Sequence, residues 1–233
     1  MNSSRRTERT IVILFLLIVS AGLAGAQSAE NDRVKSALDI FQVFTTVPEY
    51  QIPAALMRNA SGIAILPGVK RIGFVIGGMR GKGVLVARGK DGAWGRPLFI
   101  TITGGSFGWQ IGIQSSDIIM FFRTPGSVER VLRGKYTVGV DASVAAGSLG
   151  RDAAAVTDAD LTAEIYSYSR ARGVFAGLAI QGAALDIDYG ANAAYYQKEI
   201  ARPSDILEGS GLPDPETAKQ LRQGIARYEK SVR

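Results

Sequence analysis

The chain has 233 residues and contains neither histidine nor cysteine, so its reactive side chains are carboxylates, hydroxyls, lysines and arginines. Without thiol or imidazole there is no disulfide, no Cys- or His-ligated zinc, and no base for a Ser-His-Asp triad. Gly104-Gly105-Ser106-Phe107-Gly108 nevertheless matches G-x-S-x-G. In hydrolases that spacing exposes the serine on a strand-to-helix elbow, where a histidine activates it. No helical pattern follows here, so the pentapeptide reads as a glycine turn between strands. For acid-base work or a hard cation there remain Asp186 with Asp188 on one strand face, Asp158 with Asp160 in a loop, and Glu164. A glycosidase would add an aromatic platform, for which Trp94 and Trp109 are the obvious choices. Gly77 to Gly83 invites a phosphate-loop reading. However, strand-like Val84-Leu85-Val86-Ala87 follows, and Lys82 precedes Gly83 rather than Ser or Thr. The segment reads instead as a glycine hairpin holding out Arg80 and Lys82, with Lys70 and Arg71 nearby. Four cations beside two turns suit lipid phosphates; the alternative is a basic edge that only water meets. No cofactor and no metal are expected.

The elements around these residues are mostly strands. Ile72 to Gly77 and Gly83 to Arg88 form an expected pair, and Gly89-Lys90-Asp91-Gly92 is a turn signal. Trp94 to Thr103, Trp109 to Ile113 and Asp117 to Phe122 read as strands, as do Tyr136 to Gly147, Ile165 to Ser169, Phe175 to Gln181 and Ala184 to Tyr189. From Leu98 to Phe122 the only charge is Asp117, and a period of two favours paired strands over a membrane span. Helical spacing appears over 31–46, where Val34, Ala37, Leu38, Phe41 and Phe44 share a face and Arg33, Lys35 and Asp39 lie opposite. That stripe either covers the sheet or enters a lipid headgroup layer. Shorter helices are expected over Ala54 to Asn59, over Ser127 to Arg133 with Ser127 as cap, and over Asn192 to Ile200. Pro203 to Pro215 reads as a polar linker, and Pro215 to Lys230 as a closing helix.

Residues 1–26 have the order of a secretory signal peptide: Arg5, Arg6 and Arg9, then apolar Ile11 to Val19, then Ala24-Gly25-Ala26. Cleavage removes three Arg and one Glu, so 27 basic and 21 acidic residues become 24 and 20. The remaining excess of basic charge suits anionic lipid or acidic polymers, and export argues against nucleic acid. The expected mature chain, 27–233, is one α+β domain with its core over about 50–197. It is β-rich, a twisted and mainly antiparallel sheet or partial barrel, with helices at both ends.

Several stretches together resemble the SYLF-domain family. They are Gly62-Ile63-Ala64-Ile65-Leu66-Pro67, Gly73 to Gly78 with Gly81-Lys82-Gly83, and Thr103 to Gly108 with Gln110-Ile111-Gly112. They continue with Gly139 to Ser143, Gly147 to Arg151, Ile165 to Arg170 and Gly173 to Gly177. The resemblance implies a non-enzymatic protein that binds phosphoinositides or other anionic lipids through basic residues and an N-terminal amphipathic helix. That role maps onto Arg33, Lys35, Lys70, Arg71, Arg80 and Lys82. Eukaryotic members of the family also bind actin. This sequence departs from them in its export signal and in having no SH3-like extension, so actin is not an expected partner. The other expectation is an exported envelope scaffold, periplasmic or peripheral to a membrane, that binds a protein or a polysaccharide.

Overall fold

The computed structural model describes residues 27–47, 52–134, 136–146, 161–171, 174–176, 180, 182–199, 202–209 and 211–232. The expected signal segment and the Asp158–Asp160 pair lie outside these residues. Two very long strands dominate, β1 (Gly62–Ala87) and β2 (Leu98–Phe122). They pair antiparallel from Gly62↔Phe122 to Leu85↔Leu98. A 26-residue strand far exceeds the usual three to about ten residues, so it cannot stay flat on a small core. Its register shifts at Leu66/Val69 and at Gly73/Val75. Pro67, which donates no ladder hydrogen bond, sits in the first irregularity beside Gly68 at φ +54. The two halves of β1 then meet. A Cβ on Gly83 would lie 2.2 Å from Ile65 O, and one on Gly81 would lie 2.6 Å from Val69 Cγ2. Arg88 N donates to Ser61 O at 2.9 Å.

Two sequence expectations are corrected here. Gly78 to Lys82 is not a turn between two strands, and Gly104 to Gly108 is not a turn either. Both lie inside the ribbon, facing each other as Gly77↔Ser106, Gly78↔Gly105 and Met79↔Gly104. At Gly81 and Gly83 the requirement is close approach between the strand's own halves, which a sequence pattern does not distinguish from turning. The true hairpin connection is 88–97. Gly92 adopts φ +79 there and its N–H donates to Gly89 O at 3.0 Å.

The other edge of β2 takes β7 (Ala184–Ile187) at Ile100↔Ile187 and β5 (Ile165–Ala171) at Phe122↔Ile165. β3 (Tyr136–Thr137) pairs with β7, and β6 (Val174–Ala176) pairs with β5, all antiparallel. β4 (Val144–Ala146) lies parallel to β5. The result is a seven-stranded, mainly antiparallel sheet. The strand expected over Tyr136 to Gly147 is broken by a turn at Val138–Ala142, where Asp141 N donates to Thr137 O at 2.9 Å.

Helices pad this sheet. α1 spans 27–46 and α2 is Ala54–Arg58. α3 (Pro125–Leu132) is capped by Thr124, not Ser127; Thr124 Oγ1 accepts from Ser127 N at 3.1 Å. α4 (Tyr189–Tyr196) begins earlier than the spacing predicted, because the Asp188 side chain caps it by accepting from Ala191 N. Asp188 therefore does not share a strand face with Asp186. Within α4, buried Asn192 accepts from Phe99 N (2.9 Å) and donates to Phe99 O (3.0 Å), replacing a strand neighbour for β2. The expected linker contains α5 (Pro203–Glu208), and α6 (Glu216–Ser231) closes the chain.

The apolar stripe of α1 is spent on the core: Val34, Ala37, Phe41 and Phe44 are buried. Phe41 meets Tyr228 of α6 edge-on at 5.8 Å, and Leu38 lies against Gly224. Of the two expectations for this helix, core packing is the one the structure adopts. What α1 turns outward is its polar edge.

A basic groove as candidate functional site

A groove of about 730 Å³ runs between α1 and β1. On the β1 side, Lys70, Ile72, Gly78, Arg80 and Lys82 are exposed, while Val69, Met79, Gly81 and Gly83 point inward. Strand alternation thus gathers the cations on one face, and the fold-back of β1 brings 67–72 beside 78–82 along the same groove. Ile72 is 57% exposed, so an apolar side chain stands in the row of cations. Ala29, Asp32, Arg33 and Ser36 form the α1 wall.

Four of the six cations expected to bind lipid, Arg33, Lys70, Arg80 and Lys82, line this groove. The other two do not. Lys35 points outward and pairs with exposed Asp32 at 3.4 Å, a contact worth little in water. Arg71 lies half-buried on the opposite face, its Nη2 3.8 Å from Met79 Sδ, and burial holds its guanidinium below its ordinary value. Lys70 and Arg80 have no ion-pair partner among the described residues.

Arg33 and Lys82 are not free charges. Arg33 Nη1 lies 2.6 Å from Glu30 Oε2 and 3.9 Å from Asp188 Oδ2, with its guanidinium 5.5 Å over the Phe99 ring. Lys82 Nζ, half-exposed, lies 3.3 Å from the same Asp188 Oδ2. Glu30, Arg33, Lys82 and Asp188 thus form a tetrad joining α1, β1 and the start of α4. Sequence reading missed the two acids' role. Asp188 stood out only as a partner of Asp186, although an Asp directly before a helical pattern is a capping signal.

Burial pushes the Glu30 carboxyl above its ordinary range; Arg33 opposes this, Asp188 adds to it, and Lys82 opposes it. A carboxyl whose folded value exceeds its unfolded value of 4.5 makes the folded state bind more protons. Its contribution to stability therefore rises as pH falls through the folded value towards 4.5, and declines at neutral pH. Wild type is expected to gain stability relative to Glu30→Gln on acidification from neutrality, which denaturant titrations across pH would read.

The G-x-S-x-G segment is continuous strand, not an elbow. Among the described residues, no group of three or more Asp and Glu could hold a metal ion, and no helix is long and apolar enough to cross a membrane.

Comparison with known proteins gives consistent matches. Residues 103–228 match the family described as "Ysc84: Las17-binding protein actin regulator". The chain is 34% identical over 197 residues to SH3 domain-containing YSC84-like protein 1 of Rattus norvegicus, covering 82% of this chain and 57% of that one. The Homo sapiens protein of that name is 35% identical with the same coverage. LAS seventeen-binding protein 3 of Saccharomyces cerevisiae is 35% identical over 167 residues, 70% of this chain and 36% of that one. The chain thus spans little more than half the length of the first of these relatives. A family match over more than half of the chain, joined to these identities over most of its length, means that the chain belongs to the Ysc84 family, the SYLF-domain proteins.

Proposed function

We infer that the protein binds the surface of anionic phospholipid membranes without catalysing a reaction. The supporting observation is the outward row of Lys70, Arg80 and Lys82 around exposed Ile72 on a strand whose two halves pack against each other. Cations there meet lipid phosphates while the isoleucine meets the acyl boundary. The order of charge and hydrophobicity in residues 1–26 supports export, so the membrane would be one facing the cell envelope or exterior. The basic row, not an inserted helix, carries the affinity, since the α1 stripe is buried.

Each cation near an anionic surface contributes about 1 kcal/mol, so Lys70→Ala with Arg80→Ala should weaken vesicle binding roughly thirty-fold. Co-sedimentation with phosphatidylglycerol vesicles checks this. Equal pelleting with neutral phosphatidylcholine, or binding insensitive to high salt, would sink the electrostatic reading.

The family description as a Las17-binding actin regulator supports a second reading, in which the same basic face meets an acidic protein. An exported scaffold with a protein or polysaccharide partner belongs to this reading. Pelleting of the protein with filamentous actin but not with anionic vesicles would favour it.

A further inference from the structure

The groove's cations are backed by acids that a membrane-binding surface has no evident need for. Glu30 is 8% exposed and lies behind the groove wall; Asp188 caps α4 just beside it. Arg33 and Lys82, which they hold, both line the groove. The groups facing Glu30 come from three elements: Arg33 from its own helix, Lys82 from β1, and Asp188 from the start of α4. The tetrad is neutral as two cations and two carboxylates. A phosphate arriving at Lys82 Nζ must compete with Asp188 at 3.3 Å and brings a further negative charge towards both carboxylates. A proton on Glu30 removes one opposing charge and leaves Arg33 to Asp188, which loosens that carboxylate's hold on Lys82.

We propose that the groove binds anionic lipid headgroups more tightly as pH falls, because buried Glu30, which lies behind Arg33 and beside Asp188, takes up a proton on binding. This rests on the membrane-binding reading above and adds its regulation. By linkage, the headgroup and the proton strengthen each other's binding equally. Glu30 supplies the titration: burial already favours its protonated form, and a phosphate paired with Lys82 removes one of the two cations that oppose this. The chain has no histidine, so a pH response of this groove falls to its buried carboxyl.

The test is co-sedimentation of the full chain with vesicles of phosphatidylglycerol in phosphatidylcholine, whose phosphodiester stays ionised throughout. Wild-type affinity should rise as pH falls from about 7.5 towards about 5, and a coupling of one pKa unit would make that rise about tenfold. Glu30→Gln should flatten this profile and bind more tightly than wild type at the upper pH. Asp188→Asn, whose amide oxygen still caps α4, should act in the same direction and serves if Glu30→Gln folds poorly. A variant profile as steep as wild type overturns the proton-linked groove and leaves membrane binding standing. No pelleting with anionic vesicles at either pH overturns both.

Discussion

Gly83→Ala, which adds a single methyl group to a strand, is expected to cost roughly 3 kcal/mol or more, or to prevent folding. The added Cβ would lie 2.2 Å from Ile65 O, 2.8 Å from Leu66 Cα and 2.9 Å from Leu66 Cγ. Two of these are backbone atoms of the first half of β1, which is itself fixed by pairing at Ile65↔Ile119 and Leu66↔Ile118. No rotamer change relieves the clash; the halves of the strand must separate. Separation opens the inner layer where Ile63, Ile65, Val84 and Val86 are fully buried. Gly78→Ala is the matched control, since a Cβ there meets nothing within 4 Å, and it should change stability by no more than about 0.5 kcal/mol. Denaturant unfolding of the two variants reads the difference. Equal stabilities would mean that the two halves of β1 do not press together as described.

Glu229→Ala is the second large effect, expected at about 3–5 kcal/mol because it leaves a buried cation without its anion. Glu229, on α6, is 5% exposed. Its Oε2 accepts from Trp94 Nε1 at 3.0 Å and from Arg88 Nη1 at 3.2 Å, and its Oε1 lies 3.2 Å from Arg88 Nη2. Arg88 stacks 4.1 Å over the Trp94 ring and also donates to Ala60 O and Gly92 O. The carboxylate therefore ties the closing helix to the 88–97 connection and, through Arg88, to Ala60 just ahead of β1. Removing it leaves the Trp94 N–H without its acceptor and the guanidinium without its carboxylate. Glu229→Gln keeps an acceptor and should lose about half as much, as expected when a hydrogen bond survives but the charge does not. Loss of the α6 contact should also release α1, whose Phe41 packs on Tyr228. Thermal unfolding of the two variants, with Trp94 fluorescence as local probe, checks this. A Glu229→Ala loss below about 1 kcal/mol would show the cluster to be a solvated surface pair.

These two sites also show where sequence reading stops. The apolar stripe of α1 repeats every 3.6 residues, and that period marked the helix and its buried side. Period two over Leu98 to Phe122 marked strands, though as separate short ones, and Gly89 to Gly92 marked the real turn. The glycines at 78, 81, 83, 104 and 105 carried no such label. A glycine that turns the chain and one that lets two backbones touch look alike in a local window, so each of the two long strands read as several short ones. Glu229 was invisible for the same reason, since its partners Arg88 and Trp94 lie more than 130 residues away.

The groove divides along the same line. Lys70, Arg80 and Lys82 were legible as cations near glycines, but their common face follows from strand alternation, and their meeting with α1 follows from the fold-back. Arg33 and Lys82 looked equivalent to Lys70 and Arg80 and are not, because Glu30 and Asp188 hold Arg33 and Asp188 holds Lys82.

By itself the sequence determined composition and periodicity: no imidazole or thiol chemistry, a strand-rich middle between helices, a basic excess, and the family's motifs. These are properties of single residues and near neighbours, so a linear reading recovers them. Tertiary structure alone decided which cations stay available, which carboxylates silence the others, and which glycines must remain glycine. Each of those depends on contacts between segments far apart in the chain, where a separation of two or three ångströms, not residue type, fixes the energy.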